Sequence, residues 1–233
     1  MRRYLALVCA CVMLLCIAVS VWAADLDQRD DTVSGEDITW IGDSYSVIME
    51  PLIIGLYPGV EIYAQGGRRF FVDQQGNSSG YSILSSLSND GRVRPYVVFA
   101  LGTCDYSLRD RAELDAWIDN VVALAPASTF IFVTPCTAKY KYPLVSQALR
   151  DSVARHANVR IAEWNSLCSS HLDEYFAEDK VHPTTEVGEA AWVSLVSEQL
   201  VPYPGIEIED LILISDEIVI TEYETENVTE DNS

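Results

Sequence analysis

The stretch Ile38-Thr39-Trp40-Ile41-Gly42-Asp43-Ser44-Tyr45-Ser46, ITWIGDSYS, runs from apolar and β-branched residues directly into small polar ones. Residues 38–41 read as a strand buried on both faces, and 44–55 as the helix that follows. A strand that passes straight into a helix carries Ser44 on the helix's first turn, above the carboxyl end of the sheet. Two roles suit a serine there. It can cap the free N–H groups of the helix, or it can be a nucleophile, provided a positioned base takes its proton.

Outward from this stretch the chain repeats one pattern. Residues 60–65, 96–101, 130–133 and 159–164 read as further short apolar strands, and 81–87, 108–124, 142–156 and 184–200 as helices. Between 108 and 124, Leu114, Trp117, Ile118, Val121 and Val122 recur three or four residues apart, which is helical spacing. Alternation of this kind predicts an α/β fold, a parallel sheet covered by helices on both faces. Its active site lies beyond the carboxyl ends of the strands, at a topological switch point. The polar segment 73–80, DQQGNSSG, reads as a flexible connector.

The flanks differ from this centre. Met1-Arg2-Arg3 precedes an apolar run over 4–24 broken by Ser20, which predicts an export signal. Val21-Trp22-Ala23 offers a small-residue cleavage site, while the length of the run also suits a retained membrane anchor. Residues 25–37 form an acidic linker, 38–202 the folded domain and 203–233 an acidic tail. The tail holds ten acidic residues and no Lys or Arg, so it carries half of the formal charge of −20. That charge excludes a nucleic-acid or anionic-membrane partner, which would need clustered basic residues. With 21% charged residues, 12 Gly and 9 Pro, the centre has the composition of one globular domain.

A nucleophilic serine needs a histidine, and the chain has three. His156 lies near a helix end, where a cation favours the last carbonyls. His171 reads as a surface or capping residue. His182 sits in Glu178-Asp179-Lys180-Val181-His182-Pro183-Thr184, just before the last helix. An Asp three residues earlier can hold the imidazole Nδ1, turning Nε2 toward a serine. The plainer reading has Asp179 and Thr184 competing to cap the helix after Pro183.

Taken together, WIGDSYS after the first strand, Gly66-Gly67 after the second, Gly102-Thr103-Cys104-Asp105 after the third, and Asp179-x-x-His182-Pro183 before the last helix resemble the SGNH/GDSL hydrolase superfamily. The resemblance covers about residues 38–200. It implies a flavodoxin-like three-layer α/β/α fold with a five-stranded parallel sheet. Ser44 would be the nucleophile, His182 the general base and Asp179 its orienter. The oxyanion hole would use the backbone N–H groups of Ser44 and Gly67 and an Asn side chain in the third block. No cofactor is implied, and a lone Asp-x-x-His with scattered cysteines lacks a metal-ligand set.

The third block departs from that pattern, because Cys104 stands at the position of the family Asn. A thiol is a poor donor beside a carboxamide, and loss of one oxyanion donor typically costs about 2.7–4 kcal/mol. Cys104 and Cys136 both follow the ends of strands that neighbour each other in the family, so an oxidising compartment permits a Cys104–Cys136 disulfide that leaves Cys168 unpaired.

A narrower likeness, carried by Tyr63-Ala64-Gln65-Gly66-Gly67-Arg68-Arg69-Phe70 with ITWIGDS, LGT and DKVHPT, is to the extracytoplasmic catalytic domain of peptidoglycan O-acetyltransferases. It implies an exported monomer acting on acylated cell-wall or surface glycans, served by a separate membrane protein that donates the acyl group. Arg68 would hold a sugar or anionic substrate, or else pair with an Asp or Glu, and Tyr140-Lys141-Tyr142 would form a sugar platform or pack. A different class of function stands beside this one: a non-catalytic glycan-binding module that keeps the fold but has lost turnover through Cys104.

Overall fold

The computed structural model describes residues 33–105, 110–176 and 178–200. The export segment 1–24, most of the acidic linker and the acidic tail 203–233 lie outside the described residues. Within the linker, Gly35–Asp37 forms a short 3-10 turn capped by the Ser34 hydroxyl, which accepts from the Glu36 N–H.

Five strands form one parallel sheet: β1 (Ile38–Gly42), β2 (Glu61–Ala64), β3 (Tyr96–Ala100), β4 (Thr129–Val133) and β5 (Val159–Ala162). Their order is β2-β1-β3-β4-β5. The chain leaves β1 for one edge and returns to place β3 on its other side. The topological switch therefore falls between the carboxyl ends of β1 and β3, where a doubly wound sheet opens a crevice.

Both faces of the sheet are buried, which is why its strands read as continuous apolar runs. On one face Ile38, Trp40, Val98, Ala100, Ile131 and Val133 pack with the helices Ser44–Ile48, Glu50–Leu56 and Glu186–Ser197. Trp40 meets Trp192 there, with ring centroids 5.9 Å apart. On the other face Ile41, Val97, Phe99, Phe130 and Phe132 pack beneath the helices Gly80–Asn89, Arg111–Ala123 and Pro143–Arg155. The result is a three-layer α/β/α sandwich. Among the described residues no helix is long and apolar enough to cross a membrane.

Several boundaries differ from the sequence expectation. The helix expected over 44–55 is two, because the chain breaks at Met49 and restarts with Pro51 in the first turn, where a missing N–H costs nothing. The last strand stops at Ala162, and Trp164–Ser169 and Leu172–Tyr175 are short helices that the pattern did not announce. The segment 73–80 is a built loop rather than a slack connector. Gln74 and Asn77 pair their backbones, the Asp73 carboxylate accepts from the Ser79 N–H at 2.7 Å, and Asn77 Nδ2 donates to the Gly66 carbonyl at 3.1 Å.

Candidate active site

β1 ends in Gly42 because the next helix turns back close upon it. A Cβ at Gly42 would lie 1.8 Å from the Ser46 hydroxyl oxygen, which already accepts from the Trp40 indole N–H at 3.0 Å. Asp43 then caps the helix Ser44–Ile48, its Oδ1 accepting from the Tyr45 N–H at 3.0 Å. With Asp43 as cap, Ser44 is released from that duty. Its Oγ lies 2.9 Å from His182 Nε2.

His182 is held by the segment before the last helix. Asp179 Oδ2 lies 2.6 Å from His182 Nδ1, while Asp179 Oδ1 accepts from the N–H groups of Val181 and His182 at 2.8 and 3.0 Å. Thr185, not Asp179 or Thr184, caps Glu186–Ser197 through the Gly188 N–H at 3.0 Å. Burial works against the Asp179 charge, but the backbone and imidazole donors outweigh it and hold the carboxyl at about 2. An ionised Asp179 can only accept, so Nδ1 carries the imidazole proton and the bare Nε2 accepts from the Ser44 hydroxyl.

A second carboxylate lies beside the serine with the opposite electrostatics. Asp43 is fully buried, and desolvation pushes its carboxyl up to about 6 although Thr103 Oγ1 and the Tyr45 N–H donate to it. Neither Thr103 nor Tyr45 was foreseen as part of the site. The Tyr45 hydroxyl lies between the carbonyls of Cys136 and Val181 and donates to one or the other, so it links the helix that begins at Ser44 to the residue preceding His182. Burial, with Asp43 nearby, pushes its phenol far up and keeps that donor protonated. No local signal marks Tyr45, because its partners are 91 and 136 residues away in sequence.

The remaining expected residues fall into two groups. Gly67 takes a left-handed conformation at φ +76° that favours glycine, and the turn carrying it is tied to Asn77. Cys104 follows β3 on the Thr103 side of the site, and burial pushes its thiol up to about 11, leaving it neutral. Two expectations are corrected. Cys104 is free, and the disulfide joins Cys136 to Cys168 with their Cα atoms 6.5 Å apart. The unforeseen helix Trp164–Ser169 carries Cys168 back against the loop after β4, and so takes the partner offered to Cys104.

The Arg68 guanidinium is turned to backbone carbonyls. The residue is 5% exposed, Nε donates to the Gly42 carbonyl at 3.2 Å, and Nη1 donates to the Ser78 carbonyl. Its role is to brace the end of β1 against the loop 73–80. Tyr142 is likewise buried, its hydroxyl donating to the Thr103 carbonyl at 3.1 Å, so within Tyr140-Lys141-Tyr142 this ring packs.

No protein-family model matches this chain, and no curated protein matches it. Solved structures do. The C-terminal catalytic domain of peptidoglycan O-acetyltransferase A (OatA) from Streptococcus pneumoniae superposes with a TM-score of 0.52 at 22% identity, covering 70% of this chain and 89% of that one. A carbohydrate esterase family 3 protein from Talaromyces cellulolyticus gives 0.50 at 17% identity, over 77% and 98% of the two chains. A member of the lipolytic G-D-S-L family from Veillonella parvula gives 0.50 at 16% identity, over 70% and 94%. The likeness is one of fold: this chain resembles the SGNH/GDSL hydrolases in its five-stranded parallel sheet and flanking helices.

Proposed function

We propose that the chain is an exported serine esterase or O-acyltransferase whose catalytic unit spans residues 38–202. The observation that carries this reading is the continuous hydrogen-bonded line from Ser44 Oγ to His182 Nε2 at 2.9 Å and from His182 Nδ1 to Asp179 at 2.6 Å. Ser44 attacks the acyl carbon while His182 takes its proton, and Asp179 stabilises the imidazolium that forms. His182 then returns the proton to the departing alcohol. Water resolves the acyl-enzyme in hydrolysis, and a sugar hydroxyl resolves it in transfer.

The substrate class we propose is an O-acetyl ester on a cell-wall or surface glycan. Support comes from two neighbours in fold, a peptidoglycan O-acetyltransferase domain and a carbohydrate esterase, and from the export segment read in the sequence. A separate membrane protein would supply the acyl group if transfer is the natural reaction.

The test is p-nitrophenyl acetate hydrolysis by the full chain beside Ser44→Ala, followed by acetate release from an O-acetylated glycan. Turnover that vanishes in Ser44→Ala, by about 10⁶-fold where the assay reaches that far, is the expected result. Equal rates for the two proteins would overturn the reading.

A further inference from the structure

A carbonyl attacked by Ser44 becomes an oxyanion, and the position expected to supply its third donor holds a half-buried, neutral thiol at Cys104. Arg69 stands beside that gap with one donor, Nε, that has no partner among the described residues. Its neighbours are pinned on both sides. Arg68 Nε bonds the Gly42 carbonyl at the end of β1, and the Phe70 N–H donates to Asp105 Oδ2 in the loop after β3 at 3.0 Å. The Arg69 carbonyl itself accepts from the Gly80 N–H at 2.9 Å. Residue 69 is thus held across the crevice between β1 and β3, above which Ser44 lies.

One donor of the Arg69 guanidinium, Nε, is shielded from solvent without a hydrogen-bond partner among the described residues, a costly state for a donor. The guanidinium charge favours the ionised forms of both the Cys104 thiol and the Asp105 carboxyl, which puts it near the loop after β3. The Asp105 oxygen that bonds Phe70 is directed to backbone rather than to this cation.

We infer that Arg69 is a catalytic residue of this site, donating from its guanidinium to the oxyanion in place of the absent carboxamide. The inference rests on the reading of Ser44 as nucleophile. In the step concerned, the Ser44 oxygen bonds the acyl carbon, the carbonyl π pair moves onto oxygen, and the serine proton passes to His182 Nε2. Arg69 receives no proton and gives none away; it holds the charge until the carbonyl re-forms and the alcohol leaves with the proton from His182.

The experiment measures kcat and KM of the full chain on p-nitrophenyl acetate, a neutral ester that offers Arg69 no carboxylate to bind. Arg69→Ala is expected to lower kcat about 10²–10³-fold with KM nearly unchanged, and Arg69→Gln, which fills the same space without charge, to fall in the same direction. Adding Cys104→Asn to either variant restores the family donor and is expected to recover most of the loss. Should Arg69→Ala fail to fold, Arg69→Gln with and without Cys104→Asn carries the test. Wild-type turnover that depends on Ser44, together with Arg69 variants within threefold of it, would overturn the inference and leave the esterase reading standing. A loss that Cys104→Asn does not relieve would also overturn it, because it marks a structural role. Absence of any Ser44-dependent turnover in the wild type would remove the esterase reading and this inference with it.

Discussion

Residues 171–174 and 179–182 each pair a histidine with a carboxylate three positions away, yet the two regions do different things. His171 Nδ1 lies 2.9 Å from Glu174 Oε2, with its ring stacked on Tyr175 at a centroid distance of 4.8 Å, and the pair stays exposed on its own short helix. His182 Nδ1 lies 2.6 Å from Asp179, whose other oxygen is occupied by two backbone N–H groups, and its second nitrogen meets Ser44. A third histidine, His156, also finds a carboxylate, placing Nε2 at 2.7 Å from Asp119 on a neighbouring helix. A carboxylate partner therefore does not mark a catalytic histidine, since surface pairs form readily and are worth little. What distinguishes His182 is the fate of its other nitrogen, which the packing of distant segments decides.

The sharpest way to break this contrast is to remove each ring. His182→Ala is expected to lower Ser44-dependent kcat/KM by about 10⁴–10⁶-fold, whereas His171→Ala should leave it within twofold. Comparable losses from both variants would erase the distinction.

A smaller effect concerns the link that joins the two regions. Cys168 lies at the end of the Trp164–Ser169 helix, just before His171, and its disulfide partner Cys136 offers its carbonyl to Tyr45 beside Ser44. Closing a loop across 32 residues is worth about 3–4 kcal/mol in the chain-entropy account. Cys168→Ser should lower unfolding stability by that order in urea titrations. An unchanged midpoint would show that the two regions do not depend on the bond.

Smaller still is a pH effect that extends the contrast to the carboxylates. Asp179 is held low by its donors, so its contribution to stability is present above the ordinary carboxyl range and lost as pH falls through about 2. Asp43 has the opposite sign. Burial raises it from 3.8 to about 6, so its contribution is full below about pH 4 and lost as pH rises through 6. Relative to Asp43→Asn, the wild type should lose up to about 3 kcal/mol across that window. Denaturation curves for the two proteins that remain parallel from pH 4 to 7 would refute the assignment.

Much of the fold was legible because its signals are local. Runs such as Ile38-Thr39-Trp40-Ile41 and Tyr96-Val97-Val98-Phe99 follow from burial on both faces of a parallel sheet, and Leu114, Trp117, Ile118 and Val121 follow from helical spacing. The short helices Trp164–Ser169 and Leu172–Tyr175 were not legible: six and four residues are too few for a period to emerge. Missing them led directly to the wrong disulfide, because the first of them carries Cys168. The site was legible in its spacing of Asp179 and His182 and in the small residues around Ser44. The division of labour between Asp43 as cap and Ser44 as free hydroxyl was not, since either side chain suits a helix start.

The sequence by itself determined the alternation of strand and helix and the residues that follow the carboxyl end of each strand. These are properties of neighbours along the chain, set by periodicity and turn chemistry. Only the tertiary structure decided which histidine meets Ser44, which cysteine meets Cys136, that Arg68 is spent on backbone carbonyls while the Arg69 Nε has no partner among the described residues, and that Tyr45 ties the site together. Those choices join residues tens to more than a hundred positions apart, and no local energy ranks one distant partner above another. The sheet order does so, by bringing certain loop ends within hydrogen-bonding reach and leaving the rest apart.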